Sequence, residues 1–260
     1  RVDFQDLFGS LDTIKRFHSL NPFDGVLGTD DSALELAAFV ATSLKLPGNQ
    51  PDSVKTGVRK DLSREIQLNA GLPTPWFHCV DLRHLPLLDL PDDIPYPCIA
   101  KPVTLSASRG VIRANNKKEL LAALIRIRRI IESAGSQHPL VSLIEEYIPG
   151  EEYVVEGFLF EEGAWETLAI FSKPDHMSGP FFEETIYVSS STLDIEIERG
   201  LIDLVHSACR SYRLRHGPVH AECRINDRGT WLIELAPRTI GGRCGKILQT
   251  NIDQSLEEII

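Results

Sequence analysis

The chain has 260 residues, 42% hydrophobic and 25% charged, which is an ordinary globular composition with room for two or three compact units. A formal net charge of −10 argues against nucleic acid as a partner, because phosphate backbones call for clustered Lys and Arg. No apolar run approaches the ~20 residues of a membrane span, and five scattered cysteines without metal spacing read as reduced thiols, so the expected setting is cytoplasmic.

In chain order, DGVLGTD (24–30) reads as a buried strand entering a turn, followed by a helix to about Leu44. Residues 1–55 then resemble the end of an α/β unit whose first strands lie outside the chain. Residues 56–148 open with the helix RKDLSREIQLNAG, stopped by Gly71 and followed by Pro73 and Pro75. The strand PCIAKP, the small-residue loop TLSASRG, the strand VIRA and a long helix from Asn116 to about Ala134 come next. Asn116 with Glu119 forms a capping box and Gly135 closes that helix. Residues 149–260 hold the hairpin EEYVVEGFLF–EEG–AWETLAIF, a loop over 173–192, a helix near 195–213, and the hairpin VHAECRINDRGTWLIELAPR (219–238). The cysteines read as small core residues, Cys223 in particular.

The last hairpin carries the chemistry. Both of its runs alternate with period two, and Asp227-Arg228-Gly229 fits a three-residue loop. That loop opposes Ile225 to Trp231, Cys223 to Ile233 and Ala221 to Leu235, and it places Glu222 opposite Glu234 with Cβ atoms ~5 Å apart. Two ionised carboxylates at that spacing repel by roughly 3 kcal/mol at an effective dielectric near 20. A shared proton, splaying into water or a divalent cation would each relieve this. The pair is therefore either a solvated surface feature or an oxygen site for a hard metal that bridges phosphates.

Nucleotide signatures decide little singly. No G-x-G-x-x-G follows a strand, and GGRCGKI (241–247) fails as a P-loop because Ile240 replaces the leading glycine and Ile247 follows the Lys. Lys101 ends a strand before the loop LSASRG, with Ser106, Ser108 and Gly110, which is either a plain hairpin loop or one that folds its backbone N–H groups over phosphates with the Lys as point charge. LIEEYIPGEEY (143–153) would form a hinge whose backbone meets a base, with Glu152 accepting from ribose hydroxyls.

Taken together, K60xxxR64, GLPTP (71–75), AKP and SASRG (100–110), EEYIPGEE (145–152), HAE (220–222) and IELAPRTIGG (233–242) resemble the ATP-grasp superfamily over residues 24–250. The resemblance implies an α+β ATP-grasp fold, two subdomains clasping ATP, preceded by part of a Rossmann-like pre-ATP-grasp unit. It implies domains at 1–55, 56–148 (lid) and 149–260 (metal site). Carried over, Lys60 and Lys101 are phosphate-contacting lysines, Glu145, Glu146 and Ile148 the adenine hinge, and Glu152 the ribose partner. Glu222 and Glu234 are ligands for Mg2+ (or Mn2+), and Arg238 is the arginine that steadies the acyl phosphate. Ala236 stands where many members have a metal-binding Asn. The E-x-A-x-R pattern followed by Gly241 and Gly242, with KPDHMSGPFFEETIYV (173–188), is similar to the bacterial L-amino-acid ligase branch. His176, Glu184, Gly241 and Gly242 are its implied substrate contacts.

The implied reaction is ATP-dependent joining of a small-molecule carboxylate to an amine through an acyl phosphate. The alternatives are an ATP-grasp phosphotransferase and an ATP-binding module without catalysis. No nucleic acid or membrane partner is expected, and a homodimer is compatible with the resemblance.

Overall fold

The computed structural model describes residues 1–85, 90–160, 163–175, 178–182, 186–189, 193–252 and 254–259, and side chains are left undescribed at 248, 250–252 and 256–257. It contains two antiparallel sheets flanked by helices, an α+β architecture. Three helices open the chain: α1 (Leu7–Leu20), α2 (Asp31–Leu44) and α3 (Pro51–Val58). Asp6 and Asp30 cap the first two by accepting from backbone N–H groups of the first turn. The strand expected at 24–30 does not form. A strand needs a hydrogen-bonded neighbour, and no described segment pairs with it. α3 runs across position 55, where a domain boundary was expected, and leads through Arg59 into α4 (Lys60–Asn69), after which Gly71 takes φ +70°.

The first sheet has the order β1 (Phe77–Asp81), β4 (Val141–Glu146), β2 (Cys98–Pro102), β3 (Ile112–Ala114). α5 (Lys117–Ala134) covers one face. Its cap follows the sequence: Glu119 N–H donates to Asn116 Oδ1 at 3.0 Å, and the Glu119 carboxylate reaches back to Asn115 N–H at 2.9 Å. Cys98, Ala100 and Ile144 point into the core with Leu120, Leu124, Ile127 and Ile131. The alternate residues Ile99, Lys101 and Glu145 line the cleft on the other face.

The second sheet has the order β7 (Val188–Ser189), β6 (Trp165–Lys173), β5 (Glu151–Leu159), β8 (Gly217–Asn226), β9 (Gly229–Ala236). α6 (Ile195–Ser211), capped by Asp194, packs its Leu201, Leu204, Val205 and Ala208 against Tyr153, Val155, Val219, Ala221, Cys223, Leu232 and Leu235. Each such side chain, fully buried, contributes roughly 1.5–3 kcal/mol. Short helices α7 (Cys244–Ile252) and α8 (Leu256–Ile259) close the chain. None of the five cysteines is in a disulfide. Four are buried as expected, whereas Cys79 is exposed. Among the described residues, no helix is long and apolar enough to cross a membrane.

The β8–β9 register corrects the expected hairpin. Asn226 pairs with Gly229 across a two-residue turn, so Ile225 meets Thr230, Arg224 meets Trp231 and Cys223 meets Leu232. A bulge between Glu222 and Cys223 then absorbs Ile233, and beyond it Glu222 faces Glu234, Ala221 faces Leu235 and His220 faces Ala236. The extra residue reverses the phase of β9. Leu232 and Leu235, three apart, both enter the core, while Ile233 and Glu234 both line the cleft. The alternation of Trp231, Ile233 and Leu235 concealed this, because a period-two reading assumes an unbroken ladder.

Candidate functional site

Between the sheets lies a cavity of about 480 Å3. Beneath it lies one face of the second sheet, built as rows across neighbouring strands, from which Glu152, His220, Glu222, Arg224 and Glu234 reach the cavity. The first row runs Lys173 (β6), Glu152 (β5), Arg224 (β8); the second runs Val154, Glu222, Glu234; the third runs Glu156, His220, Ala236. Glu152 is buried and held by Lys173 Nζ at 2.8 Å on one oxygen and by Arg224 at 2.8 Å on the other. Arg224 also donates to Ile148 O at 2.7 Å, fastening the β4–β5 joint to the floor.

Glu222 and Glu234 resolve their repulsion in a way the sequence reading did not weigh, because each takes its own lysine. Lys60 Nζ lies 3.0 Å from Glu234 Oε1, and Lys173 Nζ lies 3.2 Å from Glu222 Oε1. Burial alone would raise the Glu222 carboxyl. The hydrogen bond with His220 and the Lys173 charge more than offset it, and hold the group below the usual carboxylate range. Lys173 in turn loses by burial but is raised above its ordinary value by Glu222 and Glu152.

Lys60, the first residue of α4, is placed by its backbone N–H on Val103 O (3.0 Å) and by its Nζ on Leu105 O (2.9 Å), at the root of the loop over 104–110. Lys101 and Glu145 are diagonal neighbours on β2 and β4, with Lys101 Nζ 2.5 Å from Glu145 Oε1. Arg64, fully buried, donates from Nε to the other Glu145 oxygen at 2.9 Å and from Nη2 to Ile233 O at 2.9 Å. Burial pushes the Glu145 carboxyl up, but Arg64 and Lys101 outweigh it and hold it at about 2. Burial also lowers the Lys101 ammonium despite Glu145.

Ser106 and Ser108 of the loop line the cavity, as do Glu146, Ile148, Glu152, Arg238, Gly241 and Gly242. Ala107 and Ser108 hold φ of 55° and 51°, so this loop stores backbone strain at the cleft mouth. Gly110 is set apart: it lies against Pro102 and borders a second cavity behind the loop. Glu146 pairs with Arg228 at 2.8 Å, and its N–H donates to Trp76 O at 2.9 Å. Glu145 spends its carboxylate on Lys101 and Arg64 rather than presenting it to a ligand. Arg238 reaches the cavity while its Nε donates to Asp31 at the start of α2, which brings Thr29 and Asp30 to the cavity wall. His176 and Glu184 lie outside the described residues.

The lining residues Arg224, Tyr187, Phe182 and Ile233, and Lys173 buried behind Glu152 and Glu222, are not among those the sequence singled out. Arg224 shares the alternating face of His220 and Glu222 and was legible from that period alone. Lys173 was not, because its place depends on the β6–β5 register.

The carboxylates suit a hard divalent cation. Glu222 and Glu234 are opposed oxygen donors on the cavity floor, and Ala236 adds no ligand. Among the described residues no group of three or more His, Cys, Asp or Glu is placed to hold a metal. A cation here would take two protein carboxylates and complete its shell with phosphate oxygens and water.

The comparisons with known proteins agree with this geometry. The crystal structure of L-amino acid ligase from Bacillus licheniformis is 28% identical, with a TM-score of 0.76 over 95% of this chain and 57% of that one. Carnosine synthase 1 of Gallus gallus is 28% identical over 243 residues, which is 87% of this chain and 25% of that protein. D-alanine–D-alanine ligase from Bacillus anthracis complexed with ATP, 16% identical, shares the fold with a TM-score of 0.70 over 100% of this chain and 80% of that one. The chain spans about half the length, or less, of the curated relatives it matches. Residues 94–247, more than half of the chain, match the ATP-grasp domain, and the chain belongs to that family.

Proposed function

We propose that the protein joins a small-molecule carboxylate, an amino acid or a relative of one, to an amine at the expense of ATP, through an acyl phosphate and with release of ADP and phosphate. One observation carries this reading. Glu222 and Glu234 face each other on the floor of a cleft lined by Lys60, Lys101 and Arg238, with Lys173 buried behind Glu222.

ATP would lie with its base against Ile99, Ile148 and Ile233, its ribose at Glu152 and its phosphates toward Lys60, Lys101 and the loop at 104–110. Lys101 and Lys60 hold phosphate charge at fixed points because Glu145 and Leu105 O fix their stems. Mg2+ or Mn2+ held by Glu222 and Glu234 would neutralise the γ-phosphate and orient it. A substrate carboxylate oxygen then bonds to the γ-phosphorus while the bond to ADP breaks. The amine attacks the acyl carbon and phosphate departs. Arg238, steadied by Asp31, would hold the oxyanion of that second step, a role worth a few kcal/mol. The strained loop over Ser106 and Ser108 would exclude the water that otherwise wastes the acyl phosphate. The similarity to the L-amino acid ligase supports the substrate class.

Purified protein with ATP, Mg2+ and pools of carboxylates and amines tests this. Phosphate release that requires both substrates is the expected result. A stable phosphorylated acceptor without free phosphate would instead mark a phosphotransferase. ATP binding without either product would mark a module that only binds.

A further inference from the structure

Glu156 is a buried carboxylate that the ligation steps above do not use. It is 2% exposed and does not line the cavity, yet both its oxygens are engaged by groups that do. Oε1 accepts from His220 Nδ1, and Oε2 accepts from the Ile240 backbone N–H at 3.0 Å. His220 sits on the metal-carboxylate strand, two residues from Glu222 and opposite Ala236. Ile240 opens the Gly241–Gly242 turn at the end of the cleft, where Gly242 takes φ +68°. One carboxylate therefore ties β8 to the turn that leaves β9.

Two consequences follow from the geometry. With Nδ1 held by Glu156, the ring nitrogen turned to the cleft is Nε2, 3.7 Å from Glu222 Oε1. The small side chain of Ala236 leaves the imidazole room to keep that orientation. The tie also fixes where the turn N–H groups stand relative to Arg238, two residues before Ile240. An uncompensated carboxylate this deep is strongly unfavourable, so its retention needs both partners in place.

We propose that Glu156 is a positioning residue, acting through His220 and the 240–242 turn to set the end of the cleft where the acyl group meets the amine. This rests on the ligase reading above and assigns that site a support that no lining residue provides. Glu156→Gln tests it, because an amide keeps the shape and one acceptor oxygen but cannot serve both partners.

The first measurement needs no turnover. In 15N-histidine-labelled protein, a slowly exchanging low-field Nδ1 proton is expected, assigned to His220 by its loss in His220→Gln and lost also in Glu156→Gln. The second splits binding from chemistry. Glu156→Gln is expected to keep MgATP affinity within about twofold by calorimetry and to lose roughly 10- to 100-fold in amine-dependent turnover at saturating ATP, as small misplacements of reacting groups do. Absence of the proton signal in the wild type overturns the proposal, as does wild-type turnover in Glu156→Gln. Parallel loss of MgATP affinity overturns it too, since that would mark a general structural role. Failure of the ligase reading is distinguishable: wild-type protein would then bind MgATP and show the proton signal, yet release no amine-dependent phosphate.

Discussion

Lys60 pairs with Glu234 and Lys173 with Glu222, so each of the facing carboxylates has a positive partner of its own. Glu234→Gln removes one proposed metal ligand while Lys60 keeps Leu105 O as partner. The variant is expected to fold, with far-UV circular dichroism unchanged, and to lose roughly 100-fold or more in turnover. Retained turnover would remove Glu234 from the metal site. The buried Lys101–Glu145–Arg64 cluster makes a different prediction. Glu145→Gln leaves two buried cations with no carboxylate between them, and a loss of about 3–5 kcal/mol is expected in urea denaturation. The pH dependence has a definite sign. The folded carboxyl titrates at about 2 against an ordinary 4.5, so its contribution is complete above about pH 4.5 and is lost as pH falls from there toward 2. The wild type should therefore lose stability more steeply than Glu145→Gln over that window, and equal slopes would contradict the assignment. At this scale Glu222 opposite Glu234 was legible although the register near the turn was not, because the bulge that absorbs Ile233 restores beyond it the pairing that a three-residue loop gives. Lys173 and Glu156 were not legible, because their partners sit on strands whose order alternation does not reveal.

Between elements, the bulge at Ile233 and the packing of α3 on β9 set where Glu234 and Arg238 emerge. A Cβ added at Gly57 in α3 would lie 2.6 Å from Pro237 Cδ, directly before Arg238. Ala would help the helix by up to about 1 kcal/mol, but the forced contact costs more, typically about 1–3 kcal/mol. Gly57→Ala is thus expected to destabilise by about 1–2 kcal/mol, whereas Gly200→Ala, in α6 with Thr230 Oγ1 at 3.5 Å, should stabilise by about 0.5–1 kcal/mol. Urea midpoints of the pair read both, and a stabilised Gly57→Ala would show that α3 does not press on the exit of β9. Helix ends were the most legible elements: Asn116 with Glu119, Gly71 and Gly135 act locally, through side chains and φ values that need no tertiary partner. The strand expected at 24–30 failed for the opposite reason, since a strand exists only with a neighbour. The two-residue turn at Asp227-Arg228 was hidden because the extra residue was placed in the loop rather than in the ladder.

Across the whole molecule, two antiparallel sheets each give one face to a helix and the other to a common cleft. The ordered series of motifs, from Lys60 to the Gly-Gly turn, made this arrangement legible as a resemblance, although no single motif carried it. The charges that meet in the cleft come from β2, β4, β5, β8 and β9, from α4 and from the segment after β9, so the site exists only when both sheets are formed. The central claim is that ATP activates a carboxylate by phosphorylating it. The most direct test follows oxygen: a carboxylate substrate labelled with 18O, turned over with ATP and amine, and the released phosphate analysed by mass. The account predicts one 18O atom in each phosphate, because the carboxylate oxygen leaves with the phosphorus. Phosphate released without the label would contradict it.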